Sequence, residues 1–247
     1  MSEKVAVVLA AGKGTRMDSD LPKVLVPVRG RPMLDYVLDA LGRGGIDRSV
    51  VVVGYRADLV REALRGRPSV AFALQSEQLG TGHAVMVCRE LLEGHAGPVL
   101  VVTGDSPMMQ ADSIRALLEE YDREPAACIL GTAHKEDPTG LGRILRNAEG
   151  EFIGIVEEKD ATEQQRRITE VNMSYYVFEN CRLWGALRYV RADNAQGEYY
   201  VTDCPGVMIN QGLSVRALPV LKPCESLGVN TLEELARVES AMAEMVP

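Results

Sequence analysis

The sequence has few cysteines and histidines, no long apolar run and no excess of positive charge, and each shortage removes a class of protein. Five cysteines (Cys88, Cys128, Cys181, Cys204 and Cys224) are scattered through 247 residues, odd in number and without a Cys-x-x-Cys. That pattern argues against a disulfide framework or a thiolate zinc site and fits reduced thiols in a cytoplasmic protein. The three histidines, His83, His95 and His134, are equally dispersed, so no zinc-ligand cluster is expected. The apolar run after Met-Ser-Glu-Lys is only a few residues long, and no other run approaches membrane length, so neither a signal peptide nor a membrane span is expected. Lysine and arginine total 27 against 35 aspartates and glutamates, for a net charge of -8. This leaves no electrostatic footprint for nucleic acid. A polyanionic ligand would need a local cluster of donors, or a metal.

What is present is the composition of an ordinary globular chain, 46% apolar and 25% charged, long enough for one large domain or one domain with a small annex. No repeats or low-complexity tracts interrupt it. Continuous apolar runs at Val5–Leu9, Val50–Val53, Val70–Leu74 and Val99–Val102 read as strands buried on both faces. Helical patterns at 33–41, 57–65, 82–92 and 111–121 lie around and between them. This alternation predicts an α/β fold with a doubly wound, mixed but mostly parallel sheet. Its ligands would sit beyond the carboxyl ends of the strands. The second half is less regular. Strands are predicted at 126–134, 172–178 and 214–220, a hairpin over 143–157 bending at Asn147–Gly150, and helices near 180–191 and 231–243. Thr231-x-x-Glu234 is a capping-box signature for the last helix. No linker separates two domains, so a second lobe would be an insertion built on the same sheet.

The strongest motif is Leu9-Ala10-Ala11-Gly12-Lys13-Gly14-Thr15-Arg16-Met17, followed by Leu21-Pro22-Lys23. It begins where a buried strand ends. Its glycines allow close approach of the backbone, whose N–H groups can face an anion. Lys13, Arg16 and Lys23 add three cations to an otherwise acidic chain. The spacing matches neither the Walker A pattern nor Gly-x-Gly-x-x-Gly. Alone, Gly-x-Gly would equally describe a tight β-α turn with solvated basic residues.

The full string over residues 5–27 resembles the signature of the sugar nucleotidyltransferases, in their N-acetylglucosamine 1-phosphate uridyltransferase branch. Similarity extends from Val5 to about Glu239. It includes Gln75-Ser76-Glu77-Gln78-Leu79-Gly80-Thr81-Gly82-His83-Ala84, Gly104-Asp105, Asp137-Pro138-Thr139-Gly140, Glu157 with Lys159-Asp160-Ala161, Asn194-Ala195-Gln196-Gly197-Glu198-Tyr199-Tyr200, and Gly228-Val229-Asn230. The resemblance implies a Rossmann-like nucleotidyltransferase fold in a single domain over 1–247. A nucleotide-binding part would occupy about 1–110, a small β-rich sugar-binding lobe about 111–225, and a C-terminal helix about 231–243. It implies an enzyme making UDP-N-acetylglucosamine and pyrophosphate from UTP and N-acetylglucosamine 1-phosphate. Neither nucleic acid nor a membrane would be a partner.

The same resemblance implies roles for particular residues. Arg16 and Lys23 would be catalytic. Leu9, Ala10, Ala11, Gly12, Lys13, Gly14, Thr15, Gln75, Gly80 and Thr81 would bind the nucleotide; Gln75 carries an amide able to read a uracil edge. Gly104, Gly142, Glu157 and Asn172 would hold the sugar. Asp105 and Asn230 would bind Mg²⁺, a hard cation suited to oxygen donors and phosphates. Read without the resemblance, Asn230 is an N-cap, Thr81 caps the following helix, and His83 is a structural residue at that helix's start.

Three positions depart from the branch. Thr103 stands where a tyrosine usually precedes Gly-Asp, Met173-Ser174 where Thr-Gly usually follows the asparagine, and Cys204-Pro205 where branched aliphatics are usual. The first two lie near the expected nucleotide and sugar sites and bear on the choice of sugar. The branch's bifunctional members continue into a hexapeptide-repeat β-helix that trimerises and carries an acetyltransferase. No such periodicity occurs in this sequence, so neither property is expected. Transfer to another sugar or base, and a non-catalytic nucleotide-sugar-binding regulator, remain the alternatives.

Overall fold

The structure, a computed structural model, describes residues 2–14, 17 and 19–245. Two of the candidates, Thr15 and Arg16, lie outside the described residues. The elements in chain order are β1 (Val5–Ala10), the short pair β2 (Pro27–Val28) and β3 (Arg31–Pro32), α1 (Met33–Arg43), β4 (Arg48–Val53), α2 (Ala57–Ala63), β5 (Val70–Leu74), α3 (Thr81–Met86), β6 (Pro98–Thr103) and α4 (Ala111–Arg123). There follow β7 (Cys128–His134), β8 (Gly142–Arg146), β9 (Phe152–Val156), α5 (Glu163–Arg166), β10 (Glu170–Glu179), α6 (Asn180–Leu187), α7 (Asp203–Asn210), β11 (Val215–Leu218) and α8 (Leu232–Glu244).

Among the described residues nine strands form one sheet, whose main path runs β11-β7-β10-β6-β1-β4-β5. β1 pairs in parallel with β4 and β6, β4 with β5, and β11 with β7, while β10 runs antiparallel to both β6 and β7. The sheet is thus mixed and mostly parallel. Its apolar runs alternate between two cores. Ala6, Val8 and Ala10 face α1, α2 and α4, whereas Val5 and Val7 face α3, α6 and α7. A strand sandwiched in this way has no polar face, which is why β1 reads as an unbroken apolar run. The hairpin of β8 and β9 joins the sheet through β10, where Asn172 lies opposite Gly142.

The predicted helix over 82–92 divides into α3 and a 3₁₀ turn at Arg89–Leu92, and the one near 180–191 ends at Leu187. Helix α7 had no counterpart in the sequence reading, because Pro205 and Gly206 resemble breakers. Pro205 occupies the third helical position, within the first turn, where no intrahelical N–H bond is lost.

The C-terminal helix is fixed by the predicted capping box. Thr231 Oγ1 accepts from the Glu234 N–H at 3.2 Å, and Glu234 Oε2 accepts from the N–H groups of Thr231 at 3.1 Å and Asn230 at 2.6 Å. Thr231, not Asn230, is therefore the N-cap. Thr231→Ala is expected to lower stability by about 1 kcal/mol, a fall of roughly 2–4 °C in Tm for a domain of this size; thermal unfolding measures it.

Candidate active site

The strand ends Ala10, Val53, Leu74 and Thr103 open onto one edge of the sheet, and a cleft of about 270 Å³ lies there. Leu9, Ala10, Ala11 and Gly12 form one wall, Gln75, Gly80 and Thr81 another, and Lys23 and Asp105 the rim. Among the sequence candidates for nucleotide contacts, these seven wall residues are gathered round one space. Lys13 is exposed, with its ammonium 5.3 Å from the centre of the Tyr55 ring. Gln78, Thr103 and Glu198 also line the cleft. Gln78 and Glu198 were quoted within the motifs but given no contact role, since nothing in a sequence shows which polar residue of a loop turns inward; Thr103 was singled out as a departure near the expected nucleotide site.

Gln75 is buried, with 3% exposure. Its Nε2 lies 3.1 Å from both the Gly80 carbonyl oxygen and His83 Nδ1. The amide is thereby oriented before any ligand arrives, and His83 has the structural role expected of it. Thr81 does not cap α3. Gly80 holds the cap position, with no side-chain bond, and Thr81 Oγ1 instead accepts from the Val201 N–H at 3.0 Å. Gly82 N–H donates to Tyr199 O at 2.7 Å and Tyr199 N–H to Leu79 O at 2.9 Å. The 75–84 and 194–201 motifs, more than a hundred residues apart, are one structure. Gly80 takes φ 104°, and a Cβ there would stand 2.6 Å from Tyr199 O, so a side chain at this position would push the two motifs apart.

At the rim, the Lys23 ammonium donates to Asp105 Oδ2 and, at 2.8 Å, to Asn230 Oδ1. The three residues come from a 3₁₀ turn, the loop after β6 and the segment before α8. Gly14, at φ 69°, packs on the lysine stem; a Cβ there would meet Lys23 Cβ at 2.6 Å. A carboxylate and an amide oxygen thus converge on one cation. This donor set fits a hard divalent ion, and the ammonium stands where such an ion would neutralise the same two oxygens. Among the described residues there is no group of three or more His, Cys, Asp or Glu side chains able to hold a metal alone, so Mg²⁺ here would complete its shell with phosphate and water.

The sugar candidates Gly142, Glu157 and Asn172 are adjacent. A Cβ on Gly142 would lie 3.4 Å from Asn172 Cβ and 3.5 Å from Glu157 Oε2. Gly104 is buried at the end of β6, its N–H donating to Leu9 O at 2.9 Å. Asn172 is also buried, and its Oδ1 accepts from the Ser174 N–H at 3.1 Å and the Tyr176 hydroxyl at 2.8 Å. A β-bulge between Asn172 and Tyr175 places Ser174 at φ 58°, a left-handed conformation natural to the glycine usual at this position. Glu157 lines a second cavity, of about 290 Å³, with Asp160, Asp193, Asn194, Tyr200, Thr202 and Asp203. Burial raises the Glu157 pKa, against a hydrogen bond with Thr202 that lowers it, and Asp160 raises it further. Asp203 is pushed up to about 6, mostly by burial and then by Glu157, Asp193 and Asp160.

The raised Asp203 pKa has a thermodynamic consequence. Between its ordinary value near 3.9 and its folded value the native state binds the extra proton, so stability declines as pH rises through about 6. Asp203→Asn is therefore expected to raise Tm near pH 8 and leave it unchanged near pH 4. Thermal melts across that range check the sign.

The chain belongs to the family of the MobA-like NTP transferase domain, which matches residues 6–198. Bifunctional protein GlmU of Geobacter metallireducens is 45% identical over 236 residues, covering 96% of this chain and 50% of the relative. The GlmU proteins of Pelotomaculum thermopropionicum (45% over 241 residues; 98% and 52%) and Brevibacillus brevis (45% over 246 residues; 100% and 53%) are similar to the same degree. The chain thus spans about half the length of these curated relatives. A crystal structure of UDP-glucose pyrophosphorylase complexed with UDP-glucose superposes with a TM-score of 0.78 at 16% identity, covering 99% of each chain. That likeness establishes the Rossmann-like nucleotidyltransferase fold.

Proposed function

We propose that the chain transfers a uridylyl group from UTP to N-acetylglucosamine 1-phosphate, giving UDP-N-acetylglucosamine and pyrophosphate in the cytoplasm. The observation that carries this reading is the convergence of Asp105 and Asn230 on one cation at the rim of the cleft walled by residues 9–12 and 75–81. The similarity to GlmU proteins over nearly the whole chain supports the same substrates.

In this mechanism a phosphate oxygen of the sugar 1-phosphate attacks the α-phosphorus of UTP in line, and pyrophosphate leaves. A phosphate monoester is a competent nucleophile at neutral pH, so no histidine base is required. Catalysis rests on positioning and charge stabilisation. With both Gln75 Nε2 contacts made inside the protein, the Gln75 carbonyl oxygen is left to accept from the uracil imide N–H. The Gly12–Gly14 backbone and Arg16 hold the departing phosphates. Asp105 and Asn230 would hold Mg²⁺, whose charge would offset the repulsion between the two reacting phosphates. Lys23 turns its ammonium from these two residues to the phosphate charge. Glu157 accepts from the sugar, and Asn172 supports the wall beside it.

Pyrophosphate release with Mg²⁺, UTP and N-acetylglucosamine 1-phosphate tests the reading, beside glucose 1-phosphate and the other nucleoside triphosphates. Release confined to the first pair is the expected result. Release confined to another pair would move the specificity to Thr103 and the Met173-Ser174 bulge, and release with none would overturn the reading.

A further inference from the structure

Glu225 is nearly inaccessible, at 1% exposure, and among the described residues it forms no salt bridge. Its carboxylate instead accepts from four donors. Oε1 takes the Gln110 N–H at 3.0 Å and the Tyr175 hydroxyl at 3.0 Å, and Oε2 takes the Ser113 hydroxyl and, at 2.8 Å, the Lys222 N–H. A buried carboxylate is costly unless its lone pairs are met in this way, and an apolar side chain would fill the space more simply.

The donors belong to three segments, each carrying a site residue. Gln110 and Ser113 begin α4 and close the loop that starts at Asp105. Tyr175 follows the bulge of β10 three residues after Asn172. Lys222 precedes the 3₁₀ turn at Pro223–Ser226, which contains Glu225 itself, five residues before Asn230. From Glu225 to Asn230 the chain has few places to give. Leu227 N–H bonds Cys224 O at 3.1 Å, Val229 is buried, and the Asn230 N–H is held by Glu234. The carboxylate is therefore a common anchor for both chain segments whose oxygens meet at Lys23.

We infer that Glu225 is a positioning residue, which sets the separation of the Asp105 and Asn230 oxygens and so the affinity of the site for a divalent ion. The role rests on the transfer reaction proposed above. It acts through the 105–110 loop and the 225–230 segment and involves no contact with substrate.

The test uses the full chain with Glu225→Gln, which keeps the shape but turns an amide donor towards existing donors, and the milder Ser113→Ala and Tyr175→Phe, which each remove one hydroxyl. Mn²⁺ binding is followed by the electron paramagnetic resonance of the free ion, for protein alone and with UTP, alongside turnover and metal-free UTP binding. Glu225→Gln is expected to weaken Mn²⁺ binding about tenfold and each single-hydroxyl variant about threefold, in keeping with lost support of metal ligands. Turnover should fall in step, with metal-free UTP affinity unchanged. Unaltered Mn²⁺ affinity in all three variants would overturn the inference, as would a parallel loss of metal-free UTP binding, which marks a general structural role. If the unsubstituted chain turns over no substrate pair, the transfer reaction falls, while Mn²⁺ binding to the protein alone still decides the role of Glu225.

Discussion

Asp105→Ala is expected to lower turnover by roughly 10²-fold or more, with little change in metal-free UTP binding. The carboxylate stands at the end of β6, where it accepts from Lys23 opposite the Asn230 amide oxygen. Removing one electrostatic stabiliser from a preorganised site costs turnover on that order. In the proposed reaction the loss falls on charge that develops during transfer, and the cleft wall at Gln75, Gly80 and Thr81, proposed to meet the uracil, remains in place. Steady-state kinetics with a separate UTP titration resolve the two effects. Near-normal turnover would remove Asp105 from the reaction.

The second large effect belongs to Lys23→Met, which keeps the apolar stem against Gly14 and removes the ammonium. Turnover is expected to fall by roughly 10²-fold, again the scale of one lost charge stabiliser. Mn²⁺ binding to the nucleotide-free protein is expected to move the other way and tighten, because a divalent ion at the proposed site would compete for the two oxygens that the ammonium holds. The opposite signs are diagnostic. A variant that was merely misfolded would lose both turnover and metal binding, and a lysine that only touched phosphate would leave Mn²⁺ affinity unchanged.

Much of this architecture was legible in the chain. The β1, β4 and β6 runs are apolar without a break because both faces of those strands are covered, whereas β5, read in the same way, is the edge strand, largely half-buried with Leu74 52% exposed; the Thr231 capping box stands as its spacing indicates. Of the candidate site, the cleft wall at residues 9–12 could be read from one continuous motif. What escaped was mostly assembly over long range. Sequence spacing does not show that Lys23 lies between residues 82 and 207 positions away, nor that Thr81 serves Val201 and not its own helix. Helix α7 escaped for a local reason, since a proline in the first turn and a proline that ends a helix look alike in one dimension. The bulge at Ser174 requires a left-handed residue, and serine there conceals what a glycine would have advertised.

Strand β10 pairs with β6 at its carboxyl-terminal end and carries the β8–β9 hairpin at its amino-terminal end. One continuous ribbon of backbone therefore links the central parallel strands to the hairpin beside the proposed sugar residues. The hairpin pairs with that ribbon at Val171 and Asn172, and it is also sewn into the fold: Ile144 and Phe152 lie in the core shared with α7, and Arg146 pairs with Glu170 and donates to Ala217 O. A change within residues 142–156 would therefore be felt in the core at Ile144 and Phe152 as well as beside Gly142, so the shape of this wall and the stability of the sheet are coupled.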